Sequence, residues 1–264
     1  MNKTVLEEIV ASRKADYHYK NDYPSDEYLS LYKARPAVRP FIGSLKDSIS
    51  RNRPAIIAEV KRGSPAKGKF AMDIDPADVA KDYQQGGAAC MSVLTEPKFF
   101  YGDLCDLRNA RDACLLPVLQ KDFIVKEFQI FEAALYADAI LLIARYLEKP
   151  QIKQYYDIAT ELNLDVLVEV FDESDIEKIS AYDFPLVGIN NRNLATMGVD
   201  FENAKRFASW FKPEQIVVAA SGISSRKDIE RFWDVGIKTF LVGESLSTAN
   251  NRVELLREFV NGDK

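Results

Sequence analysis

Six short apolar runs in this sequence end on side chains able to move a proton or hold an anion. The first closes on Glu59-Val60-Lys61, two acid–base groups two residues apart and so on one side of an extended segment. Others lead into Lys121-Asp122, carry Glu169 between Val168 and Val170, and end on Asn190-Asn191-Arg192, Ser221-Gly222-Ile223 and Gly243-Glu244-Ser245. A charge at a strand end is often only the place where the chain meets solvent. That reading fails for Glu59 and Glu169, embedded among aliphatic residues, because a buried carboxylate without a partner is costly. Lys61 and Lys121 are the natural partners. The four form an acid–base set, with internal ion pairs that merely brace the fold as the alternative. The two glycine-containing ends let backbone N–H groups approach an anion, helped by a helix start. Glu244 fits there only if its backbone, not its side chain, faces the ligand.

Composition removes most other chemistry. The 264 residues include one histidine, His18, and three cysteines, Cys90, Cys105 and Cys114, with no CxxC pair. A His-rich metal site, a Ser-His-Asp triad, a zinc ribbon, an iron–sulfur cluster and a disulfide framework are all disfavoured. Proton chemistry falls to Lys, Glu and Asp. His18 reads as a surface residue of an N-terminal helix, Cys90 as core, Cys105 and Cys114 as flanking a helix, and Trp210 and Trp233 as helix residues that pack the barrel rather than stack on a substrate. With 35 Lys+Arg against 40 Asp+Glu, a net charge of −5 and no basic stripe, nucleic acid is a poor partner. No apolar run approaches the ~20 residues that span a bilayer. The N-terminus MNKTVLEEIVASRK lacks a signal-peptide core, and scattered cysteines suit a cytoplasmic setting.

Eight apolar runs recur: Ala55–Val60, Ala89–Leu94, Leu115–Leu119, Ala139–Ala144, Asp165–Val170, Leu186–Asn190, Ile216–Ala220 and Thr239–Gly243. Their centres lie roughly 20–35 residues apart, room for a strand, two loops and a helix. Amphipathic helices are predicted at Pro76–Gln85, Val125–Tyr136, Pro150–Leu162, Ser174–Ile179, Phe201–Phe211, Ser225–Val235 and Asn251–Val260. Eight such units imply a (β/α)₈ TIM barrel over residues 51–264. An open doubly wound sheet is the alternative, but the segment after the first strand reads KRGSPAKG, not GxGxxG. In residues 1–50, Val5, Leu6, Ile9 and Val10 predict one helix, Leu45 and Ile49 another, and Pro36 and Pro40 break the chain between them. That is too little apolar surface for a separate domain. Residues 1–264 therefore read as one domain whose N-terminal helical extension packs on the barrel, closing one end or shaping the site. The stretch Gly63–Gly68 is either a mobile lid or an ordinary surface loop. In such barrels function sits at the C-terminal strand ends, with phosphate commonly after strands seven and eight.

At these residues the chain resembles the indole-3-glycerol phosphate synthase family over essentially its whole length. The resemblance is carried by IIAEVKRGSPAKG (Ile56–Gly68), SVLTEPKFFYGDL (Ser92–Leu104), LPVLQKDFIV (Leu116–Val125), LVEVFDE (Leu167–Glu173), GINNRNL (Gly188–Leu194), ASGI (Ala220–Ile223) and LVGESL (Leu241–Leu246), in order and each at a strand end. It implies a barrel without metal or organic cofactor. The implied reaction converts 1-(2-carboxyphenylamino)-1-deoxyribulose 5-phosphate to indole-3-glycerol phosphate, carbon dioxide and water in tryptophan biosynthesis. Lys121 matches the family's lysine that protonates the substrate carbonyl, Glu169 its catalytic glutamate, and Glu59 and Lys61 its first-strand pair. Ser64, Asn190, Arg192 and Ser221 match pocket-lining positions, and Gly222, Gly243, Glu244 and Ser245 the phosphate cradle. Two departures concern loop shape: Ser247-Thr248 follows the eighth-strand SL, where family members often have Arg two residues on, and Tyr136 stands where glycine commonly precedes the fourth strand.

The chemistry suits this set. An electron-rich aniline ring is its own nucleophile, so no electron sink is needed, and a nearby ammonium can protonate the ketone oxygen as it gains charge. An unperturbed lysine is a weak acid, so burial or a neighbouring cation is expected to lower the pKa of Lys121. Lys61 could be that neighbour, hold the substrate carboxylate or phosphate, or donate the second proton; Glu169 or Glu59 would take the ring proton. A small phosphorylated anion would be met by Lys61, Lys121 and Arg192 and not by the overall charge. A Schiff-base aldolase and a non-catalytic phosphate-binding barrel are the competing functions. A monomer is expected, with a homodimer as the alternative. The chain ends soon after its eighth helix, which suits a single function.

Overall fold

The computed structural model describes residues 3–20, 24–192 and 198–262. Its elements begin with helices α1 (Val5–Asp16), α2 (Asp26–Ala34) and α3 (Phe41–Ser50), then strands β1 (Ala55–Val60), β2 (Gly63–Ser64) and β3 (Gly68–Lys69). Next come α4 (Pro76–Gly86), β4 (Cys90–Leu94), α5 (Leu104–Ala113), β5 (Val118–Lys121), α6 (Phe128–Ala133), β6 (Ala139–Ile143), α7 (Lys149–Glu161) and β7 (Asp165–Val170). The chain continues through α8 (Glu173–Ile179), β8 (Leu186–Asn190), α9 (Glu202–Ala208), β9 (Ile216–Ala220), α10 (Arg226–Trp233), β10 (Thr239–Val242), α11 (Glu244–Ser247) and α12 (Arg252–Asn261). Strands β1 and β4 to β10 pair in parallel and close into a (β/α)₈ barrel, β1 meeting both β4 and β10. Among the described residues no helix is long and apolar enough to cross a membrane.

The strands are apolar on both faces because both are covered. Ile56, Ala58 and Val60 of β1 face outward into the layer shared with the helices. Ala55 and Ile57 face the interior with Leu119, Leu141, Leu167, Val218 and Leu241. Side chains alternate along a strand, so each inward row continues upward by steps of two. The row Ala55, Ile57 leads to Glu59; Leu119 leads to Lys121; Leu167 leads to Glu169. Polar groups thus stand on top of a packed apolar plug.

Local chemistry sets the helix ends. At α4 the Asp75 side chain accepts from the Ala77 amide, Pro76 occupies the first turn, and Gly87 ends the helix at φ 89°. The helix expected over Val125–Tyr136 is shorter, Phe128–Ala133, because the Gln129 side chain captures the amides of Val125 and Lys126 in a turn before it. His18 lies exposed in the turn after α1, and Trp210 lies half exposed after α9, against Phe207 and outside the barrel packing expected for it.

The first fifty residues reach both ends of the barrel. Helix α1 covers the C-terminal mouth, where Leu6 and Ile9 join the inner core and Arg13 makes a buried bidentate pair with Asp122 (Nε–Oδ1 2.9 Å, Nη2–Oδ2 2.7 Å). Lys98 reaches back to Ser12 and Asp16. Helix α2 runs beside the outer helices, with Tyr32 and Arg35 donating to the carbonyl of Leu162. Helix α3 plugs the opposite end: Phe41 and Leu45 are fully buried, the Phe41 carbonyl accepts from Cys90, and Asp165, at the start of β7, accepts from the Ile42 amide. The extension therefore closes the floor and roofs the site.

Candidate active site

Above the apolar plug lies a cavity of about 420 Å³. Its wall includes Glu59, Lys61, Ser64, Lys121, Glu169, Asn190, Arg192, Ser221, Gly222, Gly243, Glu244 and Ser245, so every candidate site residue converges there. The last two residues of the GINNRNL stretch, Asn193 and Leu194, lie outside the described residues. Aromatic and aliphatic groups complete the wall, with Phe100, Phe123 and Phe171 from three βα loops and Val5, Leu6 and Ile9 from α1.

Glu59 is the hub. Its carboxylate is 2 % exposed and bridges two ammonium groups, with Oε1 2.6 Å from Lys61 Nζ and Oε2 3.1 Å from Lys121 Nζ. Burial alone would raise its pKa, but the two lysines outweigh burial and hold it at about 2. Its backbone is equally restrained, the carbonyl accepting from Tyr83 Oη at 2.9 Å and Ser247 Oγ at 3.3 Å. Ser247, the residue after the eighth-strand SL, thus sets its hydroxyl against the backbone of the hub.

Glu169 has a different environment. It is 3 % exposed, and Oε1 accepts from Asn190 Nδ2 at 3.2 Å, while Oε2 has no hydrogen-bond donor among the described residues. Burial raises its pKa against the pull of Lys121 and the Asn190 amide. The two glutamates therefore differ: one is an anion held between two ammonium groups, the other a buried carboxylate with one oxygen that lacks a donor among the described residues. Lys121 departs from the expected direction. Burial would lower its pKa, but Glu59 and Glu169 together outweigh burial and raise it. Lys61 does not act as the expected destabilising cation, because Glu59 stands between the two ammonium groups.

Asp122 adjoins Lys121 but is fully engaged: it accepts from Arg13, from Thr95 Oγ1 at 2.7 Å and from the Phe123 amide at 2.7 Å. Neither Arg13 nor Thr95 stood out in the sequence, since a lone arginine in a charged helix looks like any solvated residue.

The loops after β9 and β10 are shaped for close approach. Ser221 and Gly222 both have positive φ, 72° and 87°, and among the described residues the amides of Gly222 and Ile223 donate to nothing. Ser245 Oγ ties the two loops by donating to the Ile223 carbonyl at 3.1 Å. The Glu244 carboxylate pairs with Lys67, Oε1 lying 2.5 Å from Nζ. Lys67 lies in the tip of the β2–β3 hairpin, so Gly63–Gly68 belongs to a short antiparallel ribbon whose Ser64, Pro65 and Ala66 line the cavity.

Gly243 shows how tight the hub is. A Cβ there would fall 2.1 Å from Glu59 Oε1 and 2.9 Å from Lys61 Nζ, although φ of −118° itself tolerates alanine. Gly243→Ala is expected to dislodge the Glu59–Lys61 pair and lower turnover by roughly 10²-fold, the usual size of a misplacement of about 1 Å. Steady-state kinetics check this, and unchanged turnover would show that the hub carries no catalytic geometry.

The family described as indole-3-glycerol phosphate synthase matches residues 6–259. The indole-3-glycerol phosphate synthase of Desulfosudis oleivorans (strain DSM 6200 / JCM 39069 / Hxd3) is 45 % identical over 238 residues, covering 90 % of each chain. That of Polaromonas naphthalenivorans (strain CJ2) is 42 % identical over 219 residues, covering 83 % of each. Among solved structures, the tryptophan synthase alpha subunit of Legionella pneumophila str. Paris superposes with a TM-score of 0.61 at 11 % identity, over 84 % of this chain and 97 % of that one. Thiamine phosphate pyrophosphorylase from Pyrococcus furiosus gives 0.59 at 13 % identity, over 78 % and 93 %. At these identities the likeness is one of fold.

Proposed function

The chain belongs to the indole-3-glycerol phosphate synthase family, and from that premise we propose that it closes the indole ring of 1-(2-carboxyphenylamino)-1-deoxyribulose 5-phosphate using lysine and glutamate side chains alone. As a member of the family it is a carboxy-lyase. The observation that carries the mechanism is the contrast between Glu59, clamped by two ammonium groups, and Glu169, a residue of the cavity wall whose buried second oxygen has no hydrogen-bond donor among the described residues.

In the first step the aniline ring carbon attacks the ketone carbon, and the C=O electron pair moves onto oxygen. Lys121 supplies the proton. Its raised pKa keeps it charged until attack begins; the alkoxide that then forms is a far stronger base than an amine, so transfer is favourable as charge develops. Glu59 holds the Lys121 ammonium toward the cavity and stays ionised throughout. Loss of carbon dioxide returns its electron pair to the ring system. Dehydration then requires protonation of the departing hydroxyl, by Lys61 or by Lys121 once it has regained a proton from solvent, and removal of a proton from the methylene carbon next to the ring nitrogen. Glu169 suits that removal: burial makes it a stronger base than an ordinary carboxylate, and Oε2 has no hydrogen-bond donor among the described residues.

The substrate is a small phosphorylated anion. Its phosphate is assigned to the Ser221–Gly222–Ile223 and Gly243–Glu244–Ser245 turns, with Lys61 at their edge; Ser64, Asn190 and Arg192 line the remaining polar wall. The aryl ring is assigned to the apolar wall of Phe100, Phe123 and Phe171. The deciding experiment is the assay of the unaltered protein with the carboxyphenylamino substrate and a chelator present, following indole fluorescence. Absence of product sinks the proposal. Borohydride trapping tests the aldolase alternative, since a covalent adduct on Lys121 or Lys61 would replace this mechanism.

A pH dependence follows. Glu169 must be ionised to act as base, and its pKa is raised, so kcat/KM falls as pH drops through a value above the ordinary carboxylate range. Glu59 sets no limb there, because it remains ionised to about 2. A pH–rate profile checks this; an acid limb at or below the ordinary carboxylate value removes Glu169 as the base.

A further inference from the structure

We propose that Asn203, a residue of α9 outside the cavity wall, is a positioning residue that aligns Glu169 by bracing the two strand ends that hold it. The inference rests on the role assigned to Glu169 above. A primary amide carries two N–H donors, and Asn203 Nδ2 spends them on two different strands: the Phe171 carbonyl at 2.8 Å and the Asn190 carbonyl at 3.0 Å. Phe171 is two residues beyond Glu169. Asn190 is the last residue of β8.

The position of this clip in the ladder gives it its effect. The β7–β8 register runs Val168↔Val187, Glu169↔Gly188, Val170↔Ile189 and then ends. Beyond that point no strand pairing holds Phe171 against Asn190. Asn203 continues the pairing from outside, with one side chain in place of a ladder rung. Asn190 is thereby held from two sides: its carbonyl by Asn203, and its side-chain Oδ1 by the Arg192 amide at 2.9 Å. With both fixed, Nδ2 points at Glu169 Oε1.

Asn191 repeats the device one strand further on. Its Nδ2 donates to the Ser221 carbonyl at 3.3 Å, and its Oδ1 accepts from the Ala204 amide at 3.1 Å. The first turn of α9 thus pins three consecutive strand ends, which carry Glu169, Asn190 and Ser221. A residue at the start of an outer helix sets the orientation of a carboxylate it never touches.

The test uses the full chain carrying Asn203→Ala, or Asn203→Asp, which keeps the size but sets a carboxylate against two carbonyls. Lys205→Ala, on the same helix and paired among the described residues with Glu202, serves as the control. Each Asn203 variant is expected to lose roughly 10²-fold in kcat, with little change in KM and a melting temperature lower by only a few degrees. The acid limb of kcat/KM should move to higher pH, because Glu169 loses a hydrogen bond to its charged form. The other groups facing Glu169 are unchanged: Lys121 from β5, Glu59 from β1, Asp175 from α8 and Tyr146 after β6. Titration of the Glu169 carboxyl by carbon-13 NMR reads the same shift without turnover. Activity loss that tracks the melting temperature, or an unmoved Glu169 titration, overturns the inference. An inactive unaltered protein would instead defeat the proposed function, while the NMR titration would still decide whether Asn203 positions Glu169.

Discussion

Replacing Lys121 with alanine is expected to lower turnover by roughly 10²–10⁴-fold, the size of a general-acid contribution, while ligand binding largely survives. Two effects combine. The donor for the ketone oxygen disappears, and Glu59 keeps only Lys61 as a counter-ion, so its carboxyl pKa rises from its present low value. Lys121→Arg separates them. It restores the positive charge beside Glu59 but offers a guanidinium too weakly acidic to give up its proton. That variant should recover stability and affinity but little turnover. Affinity is measured with the unreactive analogue in which the ketone is reduced to an alcohol. Turnover unchanged in Lys121→Ala removes the residue from the mechanism, and full rescue by arginine would make it an electrostatic stabiliser instead of an acid.

The second large effect concerns stability. Arg13→Ala is expected to cost about 3–5 kcal/mol, because it strands a buried carboxylate. The Asp122 side chain is fully inaccessible and Arg13 nearly so, with two short hydrogen bonds between them. Burial would lower the arginine pKa, but Asp122 outweighs it and raises it, which marks a pair whose charges depend on each other. Thr95 and the Phe123 amide remain to satisfy part of Asp122, but neither brings a compensating charge. Removing both partners together, as Arg13→Met with Asp122→Leu, should recover most of the loss. Urea unfolding measures each, and a single-variant cost near zero would show that α1 does not depend on this pair.

The strands were legible because a parallel barrel buries both faces, and their apolar runs stand out: β1, β7, β8 and β9 have the expected bounds. Glu59 and Glu169 were legible for the same reason, as carboxylates where only aliphatic groups fit cheaply. Lys121 was visible as a residue but not in its titration, whose sign depends on two carboxylates from other strands. Helix α2 escaped notice because its anchor is polar, Tyr32 and Arg35 reaching carbonyls 99 to 130 residues away. Asn203 escaped for a related reason. An asparagine in the first turn of a surface helix looks solvated until the fold brings two orphaned carbonyls beneath it.

The double role of the extension has a consequence in time. Its partners lie far ahead in the chain: Asp122 for Arg13, Glu132 for Tyr17, Leu162 for Tyr32. On a growing polypeptide none of them exists when the first fifty residues emerge, and closing such long loops carries an entropic cost before any contact repays it. The segment synthesised first therefore waits for its anchors, and α1 can take its buried ion pair over the site only once the chain has been made past β5.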